Sequence, residues 1–185
     1  MEGLYVVGGI VLLVVIWAVA TYNVMVRLRQ HCRESWSGID TELKRRYELI
    51  PNLVATVKGY AAHEKDVLES VTAARATAAA SDGSPESQAR DENALVGSLK
   101  KLLALAEGYP DLKASDNFLA LQHELANTED RIQAARRFYN ANVRDMNTRV
   151  DVFPSNVIAR TFHFGHEEFF EIESAAVRQT PSVQV

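Results

Sequence analysis

Cysteine is nearly missing from the 185-residue sequence. Cys32 is the one thiol, so the chain carries no internal disulfide framework. That usage fits a reducing compartment. Glycine (9) and proline (5) are sparse, which disfavours a turn-rich β fold and suits long helices. A surplus of positive charge is also lacking. The formal net charge of −4 gives no electrostatic footing for nucleic acid, and no nucleic-acid partner is expected. The length allows one domain with a real core plus an anchor.

What is present begins with a long apolar run. Leu4 to Ala20 reads LYVVGGIVLLVVIWAVA, without charge or proline. Extended through Tyr22 it makes a helix of about 28 Å, close to the hydrocarbon thickness of a bilayer. No comparable run follows. Residues 1–22 therefore read as an N-terminal transmembrane anchor, with membrane lipid as its partner. A cleaved signal peptide is the alternative, because Ala18-Val19-Ala20 matches a small-x-small cleavage pattern. Against it, the leading Met-Glu-Gly carries acidic Glu2 where a signal peptide wants basic residues, and the apolar run is long for one. Arg27, Arg29 and Arg33 flank the span on its C-terminal side, followed by Lys44, Arg45 and Arg46. The positive-inside rule then predicts a single-pass protein of the cell (inner) membrane, N-terminus outside and bulk cytoplasmic. The span has no GxxxG pair, so its own dimerisation is not indicated. Arg27 and Arg29 are placed to touch anionic lipid, at about 1 kcal/mol each. Lys44 to Arg46 lie ~30 Å farther along a straight helix, beyond a Debye length.

Residues 23–173 read as helical. Trp36, Ile39, Leu43, Arg46, Ile50, Leu53, Val57, Tyr60, Glu64, Val67, Val71, Ala74 and Ala78 recur in alternating steps of three and four. So do Phe118, Leu121, Leu125, Thr128, Ile132, Ala135, Tyr139, Asn142, Met146, Arg149 and Phe153. Such a period gives each helix one stripe that faces a partner at a shallow angle. The first helix is expected to reach about Ala80, with Pro51 kinking it rather than breaking it, because the stripe stays in phase across the proline. Ser84 is expected to cap a shorter return helix with Pro85 at its first position, ending at Gly108-Tyr109-Pro110. Ser115 or Asp116 caps the second long helix, and Ser155 a short helix after it. Phe162, Phe164, Phe169 and Phe170 call for burial, so that segment is expected to fold back on the helices. Residues 174–185 read as a disordered tail. The fold class is all-α: a transmembrane helix followed by an antiparallel bundle of long helices, since short loops make neighbours antiparallel.

Polar residues on these stripes are the candidate sites. Arg46, Glu64, Thr128, Asn142 and Arg149 either form an internal network that fixes register or binds a partner, or snorkel out at the stripe's edge. Lys44, Arg45 and Arg46 suit partner contact or ion pairs with Glu42, Glu48 or acids of a facing helix. His63-Glu64 is not HExxH, because Val67 stands where the second histidine belongs. His163, His166 and Glu167 are weak zinc candidates on an aromatic loop, and no metal is assigned. Cys32 is a juxtamembrane thiol, but it continues the apolar stripe and reads as core rather than as a palmitoylation site.

The stretch Leu43 to Leu53, LKRRYELIPNL, resembles the central motif of the LemA family. Val57-Lys58-Gly59-Tyr60, His63-Glu64-Lys65, Ala74-Arg75-Ala76, EGYPDLKA from Glu107, NTEDRI from Asn127, Arg136 to Asn140, and Phe153 to Asn156 are similar too. The resemblance covers about residues 5 to 172. It departs at Gly108, where the family has Ala, and at Gly83 to Asn93, its variable region. It implies a four-helix bundle behind one span, with the N-terminus out, and no established biochemical activity.

No nucleophile, base and orienting group stand together at helical spacing, so no catalytic residue, cofactor or small-molecule substrate is assigned. The favoured function is a membrane-anchored, non-enzymatic scaffold or adaptor that holds a protein partner, or copies of itself, near the membrane. A hydrolase using His63, Glu64 or His123 is the enzymatic alternative, and would require those side chains to converge in a pocket. A signal relay with Pro51 as a bistable element is the third reading.

Overall fold

The computed structural model describes residues 1–173, and every regular element among them is a helix. The expected tail lies outside the described residues. The elements are α1 (Glu2–Tyr60), α2 (Lys65–Ala79), α3 (Pro85–Ala106), α4 (Pro110–Lys113), α5 (Asp116–Asp151) and α6 (Ser155–Thr161). The N-terminal part of α1 is long and apolar enough to cross a membrane, and none of that stretch is buried in the protein. The helix continues through Pro51.

The long N-terminal pattern does not form one helix to Ala80. It stops at Tyr60, and Ala61 to Glu64 break it. Tyr60 is exposed while Ala61 is buried. The break frees α2 from the axis of α1, so that Leu68, Val71 and Ala78 turn inward and α2 packs on α3. Gly59, a poor helix former one residue before the end, eases the stop. Ser84 does cap α3: its side chain accepts from the Ser87 N–H, with Pro85 in the first turn. One turn that periodicity did not announce, α4, follows Tyr109 and buries Leu112.

The chain packs as two units. One takes Met1–Ser37 with Phe138–Phe169; the other takes Gly38–Arg137 with the segment that begins at Phe170. In the first unit the core holds Met25, Cys32, Tyr139, Val143, Met146, Ile158 and Phe164. In the second it holds Ile39, Leu43, Ile50, Leu53, Val57, Leu95, Leu99, Leu102, Ile132 and Phe170. Each such aliphatic or aromatic side chain contributes about 1.5–3 kcal/mol on burial.

Three local expectations change. Ser155 is the first residue of α6 rather than its cap. Its hydroxyl donates to the carbonyls of Arg149 and Val152, 2.8 Å each, and so satisfies groups left open as α5 ends. The second stripe closes at Met146, and Arg149 and Phe153 lie outside it, exposed. Of the four late phenylalanines only Phe164 and Phe170 are buried. The helix α6 ends on His163 at φ 56, with the Phe164 N–H on Ala159 O at 2.9 Å and the His163 N–H on Arg160 O at 3.4 Å. That is a left-handed stop in which the buried pair Phe164 and Ala159 seals the turn.

Candidate functional site

Arg46 of α1 is fully buried in the second unit, and its guanidinium donates to Glu92 of α3 and Glu129 of α5. Both carboxylates are also buried. The Tyr47 hydroxyl donates to Glu92, and Arg75 of α2 donates through Nε to the Tyr47 carbonyl at 2.7 Å. One polar centre thus ties together α1, α2, α3 and α5.

The local sequence explains the convergence. Arg46 sits on the stripe between Leu43 and Ile50. Glu92 lies on the backward continuation of Leu95, Leu99, Leu102 and Ala106, with Gln88 one step further back and also buried. Glu129 sits between the buried Leu125 and Ile132. An acid on an extrapolated apolar stripe is the signal that would have found Glu92. Glu129 and Tyr47 each stand beside a stripe position rather than on one.

One buried cation faces two buried carboxylates. Burial opposes the Arg46 charge, but Glu129 and Glu92 outweigh it and hold the guanidinium above its ordinary value. Burial raises the Glu92 carboxyl and Glu129 adds to it, against the pull of Arg46 and Tyr47. Burial and Glu92 also raise the Tyr47 hydroxyl. Glu92 therefore binds its proton more tightly in the folded chain than in the unfolded one. By linkage its contribution to stability is present below the ordinary value of 4.5 and is lost as pH rises through the folded-state value. Melting measured from that pH to neutrality should show wild type losing stability that Glu92→Gln retains. Parallel curves for the two proteins would refute the assignment.

The other candidates disperse. Arg45 is exposed and pairs with Glu124 at 3.3 Å. Glu64 precedes α2 and accepts from the Tyr109 hydroxyl at 3.2 Å. Asn142 is half-buried and donates to Ser35 Oγ at 3.1 Å, across α1 and α5 in the first unit. Arg149 is exposed on the wall of a groove of about 480 Å³ that it shares with Val24, Leu28, Asp145, Thr148 and Val152. Arg27 and Arg33 are exposed, whereas Arg29 lies over the Phe164 ring at 5.0 Å. Cys32 is buried, and burial, with Glu167 and Asp145, pushes its thiol up to about 11, which leaves it unreactive. His63 is exposed in the break after α1, and His123 is exposed and bonded to Asn127 at 3.1 Å. His163 closes α6, His166 meets Asp151 at 3.0 Å, and the Glu167 N–H donates to Asn147 Oδ1 at 2.8 Å. Among the described residues no three His, Cys, Asp or Glu side chains gather as metal ligands.

The family profile of the LemA family matches residues 35–185. The chain belongs to the LemA family. Arg46, Tyr47, Arg75, Glu92 and Glu129 all lie inside the matched stretch, and the apolar run of α1 precedes it. This LemA-family chain is similar to magnetosome protein MamQ 2 of Paramagnetospirillum magneticum, 26% identical over 179 residues. The match covers 83% of this chain and 66% of that relative, just under two thirds of its length. Magnetosome protein MamQ of Magnetospirillum gryphiswaldense is 24% identical with the same coverage. Protein LemA of Metamycoplasma hominis is 26% identical over 149 residues, covering 80% of this chain and 68% of the relative.

Proposed function

We propose that this protein is a membrane-anchored, non-enzymatic scaffold or adaptor: a helical bundle that holds a partner, or further copies of itself, near the inner face of the membrane. The observation that carries the reading is that one uninterrupted helix, α1, bears both the apolar run and Arg46, the centre of the buried network. A bilayer gripping the first part grips the helix on which that network is built. In this reading α1 crosses once, the arginines after the run keep the body cytoplasmic, and the N-terminus lies outside. The similarity to magnetosome proteins MamQ is consistent with association with a membrane. The antiparallel bundle is supported within the second unit by two pairings of α1 with the α5 region. Arg45 meets Glu124 at 3.3 Å and Thr56 meets Asn117 at 3.1 Å, so rising numbers on one side meet falling numbers on the other.

The test is photo-crosslinking in intact cells from exposed positions such as Tyr60, Leu119 and Phe138. Covalent products containing a second copy or one reproducible partner are expected. Recovery of the uncrosslinked monomer from every position would overturn the scaffold reading.

A further inference from the structure

The first unit exposes apolar side chains at one corner. Val152 and Phe153, where α5 ends, are 51% and 77% exposed, and Val157 and Phe162, on and just after α6, are each 53% exposed. Single exposed apolar residues are ordinary, but here four fall within eleven residues of chain, from the end of α5 to just past α6. The corner stands beside the end of the apolar run. The Phe162 ring packs edge-on against Tyr22 with centroids 4.8 Å apart, and Val152 shares a groove with Val24 and Leu28. Val24 and Leu28 lie only about 3 and 9 Å beyond Tyr22 along the helix. Arg149 and Arg160, both exposed, stand on either side of the corner, with Asp145 in the same groove and Asp151 beside it, in contact with His166. Aromatic and aliphatic side chains beside basic ones are the chemistry of elements that lie in the headgroup boundary of a bilayer.

We propose that the corner between α5 and α6 is a second lipid contact: Val152, Phe153, Val157 and Phe162 enter the boundary between headgroups and acyl chains, and Arg149 and Arg160 meet anionic headgroups. This rests on the reading that α1 crosses the bilayer, because Tyr22 sets the corner's depth. The span fixes one axis, and the corner fixes the rotation and tilt of the first unit about it. A protein partner is the competing occupant. Adjacency to the end of the run, through Tyr22, Val24 and Leu28, favours lipid.

The full chain, carrying Cys32→Ala and one new cysteine labelled with an environment-sensitive dye, is reconstituted in vesicles of phosphatidylcholine and phosphatidylglycerol. The labelled positions are Leu12→Cys in the run, Phe153→Cys and Val157→Cys at the corner, and Glu34→Cys about 18 Å past Tyr22. Nitroxides sit on the lipid near the headgroup or deep in the chains. Deep quenching at 12, with shallow quenching at 153 and 157 several-fold above that at 34, is the expected result. Quenching at 12 with 153 and 157 no different from 34 overturns the lipid contact and leaves the span standing. A blue-shifted, unquenched dye at 153 and 157 also overturns it, since protein then covers the corner. No quenching at 12 overturns the span, and with it the lipid contact that depends on it, whatever 153 and 157 show.

Discussion

Arg46→Met should lower the stability of the fold by about 3–5 kcal/mol, because it leaves two buried carboxylates without their cation. The methionine fills much of the volume of the arginine stem, so the loss is electrostatic and not a cavity. Glu92 and Glu129 are then buried without counter-charge and must protonate, recruit water or open the helices apart. Chemical unfolding of the full chain in micelles measures it, with Arg46→Met, Glu92→Leu and Glu129→Leu combined as the control. Removing the whole network should restore most of the loss, since a buried ion network replaced by apolar side chains of similar size is often neutral or stabilising by about 1–4 kcal/mol. A single variant that loses less than about 1 kcal/mol would mean that water reaches the site and that the centre is not sealed.

Phe170→Ala should release the segment that follows it, at about 3–5 kcal/mol if the cavity stays open. In the second unit the described residues 170–173 have no helix or strand of their own. Phe170 and Ile172 are buried, and side chains bind the backbone of this stretch. Asn93 donates to the Glu171 carbonyl at 3.2 Å and accepts from the Glu173 N–H at 2.8 Å, while Arg136 donates to the Ile172 carbonyl at 2.9 Å. Such a strap opens locally before the helices unfold, so global unfolding understates the change. Hydrogen exchange at the Glu173 amide should accelerate by about two orders of magnitude or more. Asn93→Ala removes the Glu173 amide's own acceptor and should also accelerate its exchange, but at a smaller cost to stability, about 1 kcal/mol for each hydrogen bond lost. Unchanged exchange in Phe170→Ala would mean that the backbone bonds alone hold the strap.

Much of the fold was legible in the residues, because helical burial has a period that sequence displays. Ile39, Leu43, Ile50, Leu53 and Val57 are spaced as a buried stripe and are buried. Ser84 and Pro85 announced the start of α3, where a local hydrogen bond and a fixed φ decide the matter. The break at Ala61 to Glu64 was not legible, since the pattern remains in phase across it and nothing there forbids a helix. Packing of α2 on α3 decides it. The fates of Phe162 and Phe170 were equally hidden: two similar aromatic residues, one half-exposed against Tyr22 and one fully buried.

The sequence by itself determined the apolar run, the all-helical class, the family and the presence of a charged residue on a packing seam, because each is a local pattern of hydrophobicity, spacing or motif. Only the tertiary structure decided which of the candidate polar residues belong together. Arg46 finds Glu92 and Glu129 across sequence separations of 46 and 83, while Glu64, Asn142 and Arg149 go elsewhere. The reason is physical: a buried charge must be paired, but no local rule says which distant acid pays that cost.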